Sequence, residues 1–235
     1  MAADSVPTAG YQVPAPGRPV RGDRYLGWPA MAVTVGLVAS IVLDLLSVVM
    51  VPVGETALVR TVPSSIDARI VDIYTVFAIV GLLGLFATFG SFMLWSFRAR
   101  ASVEAWGIEG LDWGSGWAIG GWFIPFANFV IPKLVMDAIW SGTMAPLGTT
   151  TTRRRSSLLI NGWWWTFVVS HVAGGAIGST LFTPQDGLAV FVGYTAVIAV
   201  LSILSAVLAI VLVRRITHQQ QARQAATLPV SGRPW

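Results

Sequence analysis

The chain has 235 residues, 54% of them apolar and only 11% charged, with a formal net charge of +4 and a mean hydropathy of +0.70. An average soluble domain carries about a quarter charged residues, so this balance argues against a water-soluble globular fold and points to a bilayer as the solvent. Cysteine is absent and His171 and His218 are the two histidines, which removes disulfides, thiolate nucleophiles and thiolate metal sites.

Residues 1–27 hold Pro7, Pro14, Pro16 and Pro19 among small and polar residues, with Arg18, Arg21, Asp23 and Arg24 as the charged cluster. This composition predicts a disordered Pro-rich tail. A cleavable signal peptide is not expected, because the basic cluster comes late and the apolar run at 29–53 is long enough to span and stay. Within that first span Gly36, Ser40, Asp44 and Ser47 fall at steps of four, four and three, which puts them on one helical face. The bland reading is a packing seam of small residues. Asp44 is the sharpest single residue, since a carboxyl at mid-span is costly unless paired, hydrated or protonated. As a functional group it would be a general acid, a proton relay or a cation partner; as a structural one it would bond a serine or His171.

The loop 54–69 carries Glu55, Arg60, Asp67 and Arg69, and the second span follows at 70–97. Asp72 opens it, where a solvated acid favoured by the helix dipole is the simpler reading and a catalytic acid the sharper one. Gly81, Gly84, Thr88 and Ser91 repeat the small-residue stripe, and the span ends at Arg98 and Arg100.

The segment 116–140 reads GWAIGGWFIPFANFVIPKLVMDAIW. It is long enough to cross, but Pro125 and Pro132 each remove a backbone donor and Asn128 between them offers a polar side chain to a freed backbone group, so a broken helix is expected. Crossing would also strand Arg153, Arg154 and Arg155 outside. A re-entrant or interfacial hairpin that returns to the cytoplasmic side is therefore preferred over five spans with an external C-terminus. The third span is expected at 158–182, with His171 near its middle, and the fourth at 188–213, ending at Arg214 and Arg215 before a tail at 216–235.

With this layout every lysine and arginine except Arg60 and Arg69 lies on one side, which assigns both termini to the cytoplasm of a plasma-membrane protein. The expected architecture is all-α, a membrane domain over 28–215 with four transmembrane helices and the broken segment between the second and third. The sequence pI near 10.1 is then an orientation signal rather than a sign of nucleic-acid binding.

The string GWAIGGWFIPFAN at 116–128, continued by Pro132 and by Ile139 and Trp140, resembles the signature of an actinobacterial membrane family, domain of unknown function 4328. The triplet Trp163, Trp164, Trp165 and the exit Val213, Arg214, Arg215, Ile216, Thr217 with Gln220 are similar to that family too. The resemblance covers about residues 26–224. It departs at Ser102 and Val103, where an Asn–Ala pair is the family habit, and at Ala138 within the Asp137-to-Trp140 ending. It implies the four-span layout with a special segment in the middle, and no activity.

Of the eleven tryptophans, most fall in the stretch from Trp95 to Trp165. An interfacial aromatic belt accounts for their position. The sharper reading makes Trp117, Trp122, Phe123, Phe126, Asn128, Trp140 and Trp164 the lining of an amphipathic pocket closed by the broken segment. Such a pocket would hold an apolar lipid- or prenyl-like molecule, or steady a developing cation through ring faces. Asp44, Asp72 and Asp137 are the candidate acids, and His171 is a candidate haem ligand or proton donor, with a histidine hydrogen-bonded across helices as the structural reading. Haem with paired axial histidines would need a second histidine at depth, and His218 lies in the tail, so no cofactor and no metal is expected.

Three functions fit these residues: a binder of an apolar ligand or a membrane partner, an acid-initiated prenyl cyclase, and a scaffold or transporter subunit. Oligomeric state is left open by the sequence.

Overall fold

The computed structural model describes residues 26–60, 64–175 and 187–227, and the side chains among these outside 49–74, 77–78, 188 and 227. The elements in chain order are α1 (Gly27–Arg60), α2 (Ser64–Ala105), α3 (Trp117–Gly120), a 3-10 turn (Ala127–Phe129), α4 (Ile131–Met144), α5 (Leu158–Gly174) and α6 (Leu188–Thr227). The described residues are all-helical apart from one isolated bridge between Glu109 and Thr151. Helix is what apolar solvent demands, because every backbone N–H and C=O must find its partner within the segment.

Among the described residues three helices contain stretches long and apolar enough to cross a membrane: Gly27–Val48, Ile79–Ala105 and Ala189–Ala226. The fourth expected crossing is represented by α5, whose 17 residues rise about 25 Å, less than the roughly 30 Å of a hydrocarbon core. The outer end of that expected span, 176–182, lies outside the described residues, as do the tail 1–25 and the Asp72 side chain.

The long helices run past the expected exits. After Arg98 the sequence RASVEA contains no Gly or Pro, so nothing stops α2 until Gly107 at φ +67 turns the chain. After Arg215 the residues ITHQQQARQAA continue α6 to Thr227, beyond the expected tail boundary at 216, and Ile216, Thr217 and Gln220 on that extension are buried.

The broken segment is broken as the prolines predict. α3 is a single turn, and a Cβ on Gly121 would lie 2.5 Å from Ile131, so the end of α3 presses directly on the start of α4. Pro132 then occupies the first turn of α4, where a missing N–H costs nothing. Between them Phe126 adopts φ +65, a strained conformation for a bulky residue, and is 87% exposed. The Asn128 side chain does not satisfy the break through its carbonyl: that oxygen is buried with no hydrogen-bond partner among the described residues.

α1 packs against both α2 and α6, and α6 against α5, so the long helices stand in the order α2, α1, α6, α5. The core gathers at one end of this row, from Leu26 just before α1, Ala30 and Val33 of α1, Phe92, Trp95 and Ala99 of α2, Ile160, Trp163 and Trp164 of α5, and Ala209, Leu212, Val213 and Ile216 of α6. Ala118 and the α4 face of Ile131, Val135, Met136 and Ile139 close it from below. The arginine-bearing ends of α2 and α6 and the starts of α1 and α5 therefore share one end of the molecule.

That end is tied by polar contacts. Trp95 donates its indole N–H to Thr217 Oγ1 at 3.0 Å, and Gln220 Nε2 donates to Ala99 O at 3.1 Å and Thr143 Oγ1 at 2.9 Å. Arg100 donates to Trp113 O and Leu111 O, at 2.9 and 3.1 Å, holding the loop after α2. The residues Thr217 and Gln220 of the family-like exit thus have a structural duty.

Candidate functional site

Beyond the core end, α2 and α5 diverge and leave a cavity of about 790 Å³ between them, backed by α1 and α6. Gly81 and Gly84 present bare backbone to this space, with no atom within 4 Å of a Cβ placed on either. The small-residue stripe on α2 was expected to be a packing seam, and only part of it is one. At Gly36 a Cβ would fall 2.9 Å from Thr88 Cβ, so α1 and α2 touch there and part on either side.

The floor is aromatic. Trp122, the last residue brought in by α3, stands edge-on to Phe89 at 5.0 Å and to Phe167 at 5.9 Å, with Phe92 at 6.3 Å. Trp163 meets Phe92 at 5.6 Å across the gap between α5 and α2. Edge-to-face and tilted rings at these separations are the favoured geometry for aromatic pairs. From the floor, α5 carries Trp163, Phe167 and His171 at steps of four up one wall, and the imidazole lies on the Phe167 ring at 4.3 Å. His171 Nδ1 is 2.9 Å from Phe167 O. Nδ1 is also 3.2 Å from Ser170 Oγ, so either ring nitrogen can carry the hydrogen. On the opposite wall α1 supplies Ser40 and Asp44.

The expected site residues divide. Asp44, His171 and Trp122 meet in the cavity. Trp164 is buried behind Trp122 at 6.1 Å and supports the floor from outside. The others do not line the cavity. Trp117 pairs edge-on with Trp113 at 5.3 Å, Trp140 lies under the Arg215 guanidinium at 5.3 Å, and Phe123 and Phe126 are 70% and 87% exposed. Asn128 sits half-buried within the 3-10 turn. The reason is geometric: a one-turn α3 delivers one ring, Trp122, inward, and the strained turn at Phe126 swings the following residues away.

Asp137 is likewise elsewhere. Its carboxylate is buried on α4 in an ion pair with Lys133 at 2.7 Å, and Lys133 also donates to Ser156 Oγ at 3.1 Å. Two other tryptophans pair with arginines: Arg98 lies over Trp28 at 5.2 Å and Arg223 over Trp106 at 4.6 Å. Among the described residues no group of three or more His, Cys, Asp or Glu is arranged to hold a metal.

Phe89, Phe92 and Phe167 were not among the expected site residues. The signal for them was present in spacing: Phe89 and Phe92 share a helical face, and Trp163, Phe167 and His171 repeat every four residues.

A family model described as Domain of unknown function (DUF4328) matches residues 60–218. The chain belongs to the DUF4328 family. Neither the curated proteins nor the solved structures gave a match. In this DUF4328 chain the α2 wall, the Trp122 floor, the α5 wall and the cavity-lining part of α6 all come from the matched residues, while the α1 wall with Asp44 precedes them.

Proposed function

We propose that this DUF4328 protein is a plasma-membrane binder of a lipid- or prenyl-like molecule, held in the cavity between α2 and α5. The observation that carries the reading is the cavity itself: about 790 Å³, within the usual range of ligand sites, lined by rings, small residues and few polar groups. A helix pair packed for stability alone would close such a space with side chains. Gly81 and Gly84 leave it open instead.

The proposal includes four crossings, with both termini in the cytoplasm and the broken segment staying on that side. Support comes from the helix ends: the starts of α1 and α5 share a core with the ends of α2 and α6, so the stretch between α2 and α5 returns to the side it left. The arginines at that end agree with the positive-inside rule. The exposed Phe123, Ile124, Phe126, Phe129 and Val130 suit a loop that dips into the interface.

The test is extraction and mass spectrometry of lipids retained by the purified protein, comparing wild type with Trp122→Ala. A defined apolar species lost in the variant supports the reading, and bulk phospholipid alone in both proteins refutes it. A second reading, acid-initiated prenyl cyclisation, draws on the sharing of one cavity by Asp44 and aromatic rings. It requires that Asp44→Asn retain the ligand and lose turnover.

A further inference from the structure

The polar groups of the cavity have a common sense of hydrogen bonding. Ser40 donates its hydroxyl hydrogen to Leu37 O at 2.8 Å and Thr88 donates to Gly84 O at 2.7 Å, so both hydroxyl hydrogens are already spent on backbone. His171 Nδ1 is within hydrogen-bond distance of Phe167 O at 2.9 Å and Ser170 Oγ at 3.2 Å. Among the described residues nothing donates to the Asp44 carboxylate, and no lysine or arginine lines the cavity. Ser202 and Ser205 add hydroxyls that serve in either sense.

These groups are not spread evenly. From Met31 to Asp44 the α1 wall rises about 20 Å at 1.5 Å per residue, and the rings of Trp122, Trp163 and Phe92 occupy the core end while Asp44 and His171 lie at the other. A molecule filling this space meets aromatic floor at one end and acceptors at the other.

We infer that the cavity selects a single-chain amphiphile whose head donates hydrogen bonds, a long-chain alcohol or amine, and rejects carboxylate and phosphate heads. The inference rests on the cavity-binding reading above and adds the chemistry of the ligand. A hydroxyl or ammonium head donates to the Asp44 carboxylate at that end. An anionic head meets the Asp44 carboxylate with no lysine or arginine among the described lining residues to offset it, and a buried unpaired charge is strongly disfavoured. From there the chain lies along Gly81 and then Gly84 toward Trp122.

The experiment is native mass spectrometry of the full-length protein with an equimolar mixture of hexadecan-1-ol, hexadecylamine and palmitate. Adducts of the alcohol and the amine are expected at about ten times the occupancy of palmitate or more, the ratio that one hydrogen bond to a charged group supplies. Asp44→Asn should reduce the amine adduct by about the same factor. Gly84→Leu, or Gly81→Leu should the first not fold, fills the cavity and should remove all adducts. Palmitate bound as well as the alcohol and amine overturns the head-group inference and leaves the cavity reading standing. Absence of all adducts in wild type, or adducts undiminished in both filled variants, overturns the cavity reading and this inference with it.

Discussion

The indole N–H of Trp95 donates to the hydroxyl of Thr217 at 3.0 Å, joining α2 to α6 across 122 residues of sequence. Trp95 is fully buried, so no water replaces the partner if it is lost. Thr217→Val keeps the shape and removes the acceptor, and should cost about 1–3 kcal/mol, the penalty for a buried unsatisfied donor. Thr217→Ser should recover most of it. Thermal unfolding in detergent reads both, and an unchanged Thr217→Val melting temperature would count against the contact as a stabilising one.

Gly36 is where α1 and α2 meet most closely. Gly36→Ala drives a methyl group against Thr88 and should destabilise by about 1–3 kcal/mol, as overpacking does. Thr88→Ala in the same chain removes two of the clashing atoms and should recover part of the loss. Gly84→Ala, with nothing near its Cβ, should leave the melting temperature unchanged or raised, since Ala is the better helix former.

Arg223 closes the carboxyl end of α4 by donating to Gly142 O at 3.3 Å, Ala145 O at 2.7 Å and Pro146 O at 3.3 Å. Arg223→Ala should lower stability by about 1–3 kcal/mol through carbonyls left without donors. Arg223→Lys should not restore it, because a compact ammonium cannot span three carbonyls and stack on Trp106 as a planar fork does. Full rescue by lysine would show that charge alone matters at this position.

The layout of the fold was legible because bilayer physics writes it in long strokes. Apolar runs ended by Arg98, Arg100, Arg214 and Arg215 marked helices and their basic ends, and Pro125 with Pro132 marked the break. The cavity was only half legible. Asp44 and Trp122 stood out as odd residue types, but whether a ring points inward depends on the one-turn length of α3 and the φ of Phe126, which no composition reports. Phe89, Phe92 and Phe167 look like ordinary membrane residues until the divergence of α2 from α5 gives them a common face. From sequence the last span ends at Arg214 and Arg215, where the apolar run stops, although Ile216, Thr217 and Gln220 beyond them are buried.

Phe126 holds a left-handed backbone with its ring almost wholly exposed. Phe126→Gly removes the steric cost of that φ and should raise stability in detergent by about 1 kcal/mol. A lower melting temperature would mean that the ring has packing the strain is maintained for.

The four-crossing layout predicts that the loops on either side of the broken segment face the same compartment. The chain has no cysteine of its own, so Asp112→Cys and Thr150→Cys, both at exposed positions, can each be tested singly with a membrane-impermeant maleimide on intact cells. Both should be protected. Labelling of Thr150→Cys alone would establish that 116–140 crosses and that five spans are present.

The most direct test of the central claim is photolabelling of the purified protein with a hexadecanol that carries a diazirine in its chain, followed by peptide mapping. If the space between α2 and α5 is a binding site, label concentrates on the cavity-facing Gly84 and Thr88 and on Trp122, and excess unlabelled hexadecanol suppresses it. Label distributed alike over the outward Leu83 and Phe86, which are 64% and 65% exposed, and insensitive to competitor, would contradict the account.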